Sequence, residues 1–314
     1  MQNHVLRFFT RLTAVLTVIC LLLTACGRSA TRHEKGDHGY IPVSASPISV
    51  KGISAKAYFI YDCAAKVFVA IHGADGLIYP ASTTKLLTAL YALTLLDPAE
   101  TVTPGDELSL VGEGSSIAYV KQSHTLTVEM LVQGMMIPSG NDAAYALAAA
   151  GGKKLDASLS GVAAVERFME GMNEYAVSLG LCSSSFTVPD GLAGEEHYSS
   201  LEDMAIVAKL AFENELIRTY GGMAKADVVY ESGHTNTWVN TNLLLDETGG
   251  YYDSRVLSGK TGSLEGWYNV IFLAEEDGER YIVGVFGSSG KEARFADGIR
   301  IMDAIEERDR SGNA

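Results

Sequence analysis

The feature that most constrains this fold is a change of hydrophobic period along the 314 residues, from two to 3.6 and back to two. Ala57-Tyr58-Phe59-Ile60-Tyr61 and Val67-Phe68-Val69-Ala70-Ile71 are β-rich runs on either side of Asp62 to Lys66, which predicts a hairpin. Far along the chain, Trp267 to Ala274 and Tyr281 to Phe286 flank Glu275-Glu276-Asp277-Gly278, a second hairpin signal, with Lys260 on or beside the strand just upstream. Strands at both ends with helices between them imply an α+β domain whose antiparallel sheet is built from both termini.

The middle of the chain has helical spacing. Thr83 to Leu96 is apolar nearly all round and stops at Asp97-Pro98, which predicts a buried central helix with Ser82 at its N-terminus. A second helix follows Thr127 through Met130, Leu131, Met135 and Met136 to the break at Pro138. A third, Gly161 to Leu179, closes on Gly180, and Ser199-Ser200-Leu201-Glu202 is a capping-box pattern opening another through Met204, Ala205, Val207 and Leu210. Arg294 to Glu307 closes the chain as a helix. The expected architecture is thus a sheet flanked by helices, with an inserted helical subdomain at about residues 90–205.

The first segment follows neither pattern. Arg7 and Arg11 precede an uncharged apolar run, Leu12 to Leu23, too short to cross a bilayer as a stable helix, so residues 1–25 read as an export signal. From residue 26 to about 46 the chain is polar, with Arg28, Arg32, Lys35, Gly36 and Gly39, and reads as a flexible tether. Residues 47–314 then make the folded domain. The formal charge of −14 excludes nucleic acid as a partner, because that role needs a basic footprint. Of the four cysteines, Cys20 leaves with the signal, and Cys63 and Cys182 either pair or stay as separate buried thiols. Their positions, a strand and the end of a distant helix, favour separate thiols. His72, His124, His197 and His234 do not pair at metal-ligand spacing, and no metal or cofactor is expected.

Three short motifs carry chemistry: Ser82-Thr83-Thr84-Lys85, Ser139-Gly140-Asn141 and Lys260-Thr261-Gly262. A serine at a helix start has its hydroxyl at a surface break, with unpaired backbone N–H groups and a favourable dipole beside it. Lys85, one turn on, shares its helix face and acts as a base if burial and a second cation depress its pKa. Lys260 is the candidate second cation, and Ser139 is placed to relay protons between the lysines and a leaving group. Asn141 offers an amide donor and acceptor to hold a peptide bond. Thr261 beside Lys260 makes a carboxylate receptor, and Gly262 keeps the strand edge clear for an added strand of substrate.

These residues resemble the signature of the penicillin-recognising serine acyltransferases, and within them the low-molecular-weight penicillin-binding proteins of the D-alanyl-D-alanine carboxypeptidase family. Tyr79 to Lys85, Gly134 to Ala144, Phe168 to Asn173, Phe186 to Leu192 and Asn240 to Leu244 extend the likeness across about residues 50–290. The resemblance implies a β-lactamase/transpeptidase-like fold and a serine carboxypeptidase acting on peptidoglycan stem peptides, inhibited covalently by β-lactams. It assigns catalysis to Ser82, Lys85 and Ser139, and binding to Asn141, Lys260, Thr261, Gly262 and Ser263. The backbone N–H groups of Ser82 and Ser263 would form the oxyanion hole. Leu23-Thr24-Ala25-Cys26-Gly27 resembles the lipobox of bacterial lipoproteins, which implies a lipidated Cys26 anchored on the outer face of the cytoplasmic membrane.

The sequence departs from the family pattern in three places. Ser263-Leu264-Glu265-Gly266-Trp267 lacks the bulky residue and threonine usual after the glycine, the spacing from Ser139 to Lys260 is long enough to suggest an insertion near Glu247 to Ser254, and little chain remains for a C-terminal β domain. Asp190, Glu195 and Glu265 read as surface acids. Tyr119, and less strongly His197, are further candidates for the cleft. Competing functions are a β-lactamase, a DD-endopeptidase and a non-catalytic sensing lipoprotein. The first would need an extra general base, and no Glu-x-x-Leu-Asn pattern follows Ser139.

Overall fold

The computed structural model describes residues 41–312. The export signal, Cys26 and the tether as far as residue 40 lie outside the described residues. From there the chain runs β1 (Ala57–Asp62), β2 (Val67–His72), a 3-10 turn at Ala81–Thr84 and α1 (Lys85–Leu95). Short strands β3 (Thr101–Val102) and β4 (Leu126–Thr127) precede α2 (Val128–Met136), α3 (Asn141–Leu155), α4 (Gly161–Ser178), α5 (Leu201–Glu213) and α6 (Glu215–Gly222). A ribbon of β5 (Lys225–Val229) and β6 (Thr235–Val239) leads to β7 (Val256–Leu264), β8 (Trp267–Glu276), β9 (Glu279–Ser288) and α7 (Ala293–Gly312).

Five strands form one antiparallel sheet in the order β2-β1-β9-β8-β7, so the two ends of the domain meet where β1 pairs with β9. Strand alternation divides the core. Tyr58, Ile60, Val270, Phe272, Val283 and Val285 pack on α7 through Phe295, Ile301 and Ile305. Phe59, Ile271, Leu273, Ile282 and Phe286 face the other way, toward α1 and its neighbouring helices. Both faces are covered, which is why these strands read as nearly continuous apolar runs. β7, with Lys260, Thr261 and Gly262, is an edge strand of this sheet.

Several boundaries differ from the sequence expectation. Ser82 lies in the 3-10 turn and α1 begins at Lys85, so the expected helix from Thr83 is split there. Ser200 caps α5 by accepting from the Asp203 N–H at 3.1 Å, one residue beyond the expected cap, and the Asp203 carboxylate accepts from the Ser183 N–H and Ser184 Oγ. α6 and the β5–β6 ribbon were not foreseen, and the stretch between β2 and β7 runs from residue 73 to 255, beyond the expected insertion. Pro42 and Ser44, counted with the tether, bond to Phe68 of β2. Cys63 is half-buried and Cys182 exposed, with no disulfide between them. Among the described residues, no helix is long and apolar enough to cross a membrane.

α3 packs on α4 at a distance that only glycine allows: a Cβ on Gly152 would stand 1.7 Å from the backbone oxygen of Ala164. Alanine is normally the better helix former by about 1 kcal/mol. Here the sign should reverse, and Gly152→Ala should lower stability by about 1–3 kcal/mol in urea denaturation. A stabilised variant would refute this packing.

Candidate active site

Three segments converge on the Nζ atom of Lys85, which is fully buried at the start of α1. It lies 2.8 Å from Ser82 Oγ, 2.7 Å from Asn141 Oδ1 and 3.0 Å from the carbonyl oxygen of Asp190. The amide and carbonyl oxygens only accept, so they use two N–H bonds. A neutral amine then has its lone pair left for the hydroxyl proton of Ser82. This is the arrangement of a serine and its base.

Opposite them, Lys260 Nζ on β7 donates to Ser139 Oγ at 2.7 Å and to the Thr261 carbonyl at 3.1 Å. Ser139 sits between α2 and α3 with φ 62°, a left-handed conformation that costs a non-glycine residue about 1–3 kcal/mol. The hydroxyls of Thr261 and Thr241 are 2.5 Å apart. Arg294, at the start of α7, donates to the Gly262 carbonyl at 3.0 Å and to Ser263 Oγ at 2.8 Å.

The 3-10 turn bearing Ser82 is held hard against β7 and β8. A Cβ on Gly262 would meet the Pro80 carbonyl oxygen at 2.6 Å, so the glycine is needed for this approach, whatever lies along the strand edge. Its cross-strand partner Asn269 donates to the carbonyls of Tyr79 (2.8 Å) and Pro80 (3.1 Å), which pins the turn to the sheet.

The electrostatics are set by burial. Burial brings Lys85 down to about 8, against the opposing pull of the Asp190 and Asp142 carboxylates. Lys260 falls well below its ordinary value, again chiefly through burial, with Lys85 and Arg294 adding like-charge repulsion. The sequence expectation that a second cation depresses Lys85 is therefore revised: desolvation depresses it, and the repulsion is felt at Lys260.

Both carboxylates are engaged with backbone. Asp142 accepts from the N–H groups of Ala118, Val120 and Ala143, and Asp190 from that of Leu192.

The structure brings Ser82, Lys85, Ser139, Asn141, Lys260, Thr261, Gly262 and Ser263 to one cleft wall or the other, through the contacts above. Asp190 is corrected: it is 1% exposed, and its carbonyl contacts both Ser82 and Lys85. Glu195 and Glu265 are exposed, as expected. His197 is buried and bridges Thr84 Oγ1 (2.8 Å) and the Thr187 N–H (3.1 Å), a latch between the Ser82 turn and the loop bearing Asp190. Burial holds its imidazole at about 4, neutral at physiological pH. Asn269, Arg294 and Asp142 escaped sequence reasoning because most of their partners are backbone groups remote in sequence. Thr241 lay inside a noted stretch, Asn240 to Leu244, without a role.

Comparison with known proteins gives a consistent picture. The family model described as D-alanyl-D-alanine carboxypeptidase, peptidase S11, matches residues 43–290. The D-alanyl-D-alanine carboxypeptidase DacF of Bacillus subtilis is 34% identical over 230 residues, 71% of this chain and 55% of that protein. The D-alanyl-D-alanine carboxypeptidase of Streptomyces K15 is 33% identical over 232 residues, 71% of this chain and 77% of that protein. Among solved structures, the Streptomyces K15 DD-transpeptidase superimposes with a TM-score of 0.71 at 31% identity, covering 82% of this chain and 98% of that one.

The Lys85 geometry makes the reactivity of Ser82 pH-dependent. The base is competent only when neutral, so the rate of covalent labelling by a fluorescent penicillin should rise about tenfold per pH unit below the Lys85 pKa and level off above about 8. A rate flat from pH 6 to 9 would remove Lys85 from the role of base.

Proposed function

The chain belongs to the D-alanyl-D-alanine carboxypeptidase family of serine peptidases, and from that premise we propose that it removes the terminal D-alanine from peptidoglycan stem peptides through an acyl-enzyme on Ser82. The observation that carries the reading is Ser82 Oγ at 2.8 Å from a buried lysine whose other partners are both pure acceptors.

Ser82 Oγ attacks the carbonyl carbon of the D-alanyl-D-alanine bond while its proton passes to Lys85 Nζ. The oxyanion is received by the backbone N–H groups of Ser82 and Ser263. Ser139 Oγ delivers its proton to the amide nitrogen and recovers one relayed from the Lys85 ammonium, so free D-alanine departs and Lys85 is neutral again. Water, giving its proton to Lys85, then attacks the ester carbon, and that proton passes to Ser82 Oγ as the ester bond breaks. The substrate's terminal carboxylate is met by the Thr261 and Ser263 hydroxyls with Lys260 and Arg294 behind them, and an arriving carboxylate favours the ammonium form of Lys260. Asn141 holds the peptide bond before the acyl residue, with the substrate extended along the β7 edge.

The lactamase, endopeptidase and sensor readings gain no support. Rapid deacylation needs a further base, and the acceptors around Lys85 are a hydroxyl, an amide and a carbonyl, with no carboxylate among them. Export and attachment at the outer face of the cytoplasmic membrane through a lipidated Cys26 belong to the same proposal, supported by the charged, short apolar N-terminus and its Leu-Thr-Ala-Cys ending.

Two experiments test this reading. Ser82→Ala should abolish penicillin labelling and reduce D-alanine release from a stem pentapeptide by at least about 10³-fold, while leaving the fold intact by circular dichroism. Persistent labelling would reject Ser82 as the nucleophile. Cys26→Ser should abolish incorporation of radiolabelled palmitate and move the protein to the soluble fraction. Unchanged incorporation would reject the anchor.

A further inference from the structure

Tyr119 breaks two structural rules together. Its backbone has φ 62°, a left-handed conformation that bulky residues avoid, and the residue is 60% exposed, so burial of the ring does little to offset the strain. Yet the backbone around it is firmly held. The N–H groups of Ala118 and Val120 both donate to the Asp142 carboxylate at 2.7 Å. The Ala118 carbonyl accepts from Tyr230 Oη (3.2 Å), Asn236 Nδ2 (3.0 Å) and Trp238 Nε1 (3.0 Å), all from the β5–β6 hairpin. The Ser116 carbonyl accepts from the N–H of Asn141 at 2.8 Å. α3 and the hairpin thus fix a loop that displays an aromatic ring to solvent, beside the asparagine that contacts Lys85.

A second exposed apolar side chain is tied to the other side of the reacting centre. Leu192 is 41% exposed, and its N–H is held by the Asp190 carboxylate, whose residue gives its carbonyl to Ser82 and Lys85. It lies against the Tyr119 loop, since a Cβ on Gly112 would be 3.1 Å from Leu192 Cδ2. The leaving-group side of the cleft, by contrast, is lined by Lys260, Thr261 and Arg294.

We propose that Tyr119, with Leu192 against the start of the same loop, is a specificity-determining residue that receives an apolar or aromatic group on the acyl side of the substrate, the part that stays on Ser82. This rests on Ser82 being the acylated residue. A tyrosine ring is suited to the task, because it offers a large flat surface with few rotatable bonds to freeze. A rigid backbone keeps the ring presented before substrate arrives. For a stem peptide the group received is the methylene stem of the residue preceding D-alanyl-D-alanine. For a penicillin it is the amide side chain.

The test compares acylation rates of the full chain by benzylpenicillin, which has an aryl side chain, and by 6-aminopenicillanic acid, which has none. The wild type should prefer benzylpenicillin by about tenfold or more, and Tyr119→Ala should bring the ratio to within about threefold while Tyr119→Phe keeps it. Tyr119→Gly, which suits φ 62°, distinguishes recognition from a structural role: a melting temperature at or above that of the wild type, with the preference lost, supports the proposal. A wild-type ratio in Tyr119→Ala overturns it, as does a lower melting temperature in Tyr119→Gly with both rates falling in parallel. If neither compound acylates the folded wild type, the Ser82 reading itself falls and takes this inference with it.

Discussion

Everything in this site depends on the burial of one amine. Lys85 is placed on a helix with no polar face, where its charge has lost water and gained no ion-pair partner. The nearby carboxylates relieve it only in part, because Asp142 and Asp190 are occupied by backbone N–H groups and contact Lys85 with neither oxygen. The cheaper solution is to lose the proton, and the drop to about 8 is the result. A lysine in that state is a base at near-neutral pH. The three atoms that touch it come from a 3-10 turn, a helix N-terminus and a loop more than a hundred residues away. Displacing any of these segments would admit water and raise that pKa again.

Close backbone contact keeps those segments in place. The Ser82 turn is wedged between β7, where Gly262 lets the Pro80 carbonyl approach, and the loop bearing Gly191, where a Cβ would stand 1.9 Å from the Ala81 carbonyl oxygen. Between these surfaces Ala81 has φ 50°. Ser139 is strained in the same sense on the other side of the cleft. Such strain persists where surrounding structure over-determines the chain, and here it flanks Ser82 and Lys85. Asn269 and His197 supply the remaining constraint from side chains that need never meet substrate.

The parts of this architecture that were legible in the sequence are those written in side chains. The sheet from both termini, the buried α1 and the three motifs announce themselves by period and residue type. The β5–β6 ribbon does not: it buries little beyond Val228 and Trp238, and its other positions are polar or exposed. α3 is rich in alanine and glycine and buried nearly all round, so it lacks the stripe that marks an amphipathic helix. Asp190 was misread for a deeper reason. It reaches Lys85 through its carbonyl oxygen, a group every residue has, and residue type says nothing about that. The tether's last residues were likewise misjudged because Pro42 and Ser44 dock through backbone bonds to Phe68.

The same distinction accounts for the unusual rim after Gly262. Trp267, at the end of that segment, packs edge-on against Tyr79 with ring centroids 5.2 Å apart, and Lys56 Nζ stands 4.4 Å from its ring centre. Tyr79 precedes the Ser82 turn and gives its carbonyl to Asn269. The rim therefore continues the bracing of the Ser82 turn from outside the sheet, through an aromatic contact and a cation over a ring. A residue that supports the turn in this way is free to vary in kind as long as it fills the space beside Tyr79, whereas Lys85, Asn141 and the Asp190 carbonyl must keep their atoms in place. At Trp267 the requirement is thus packing, whereas around Lys85 it is the proton.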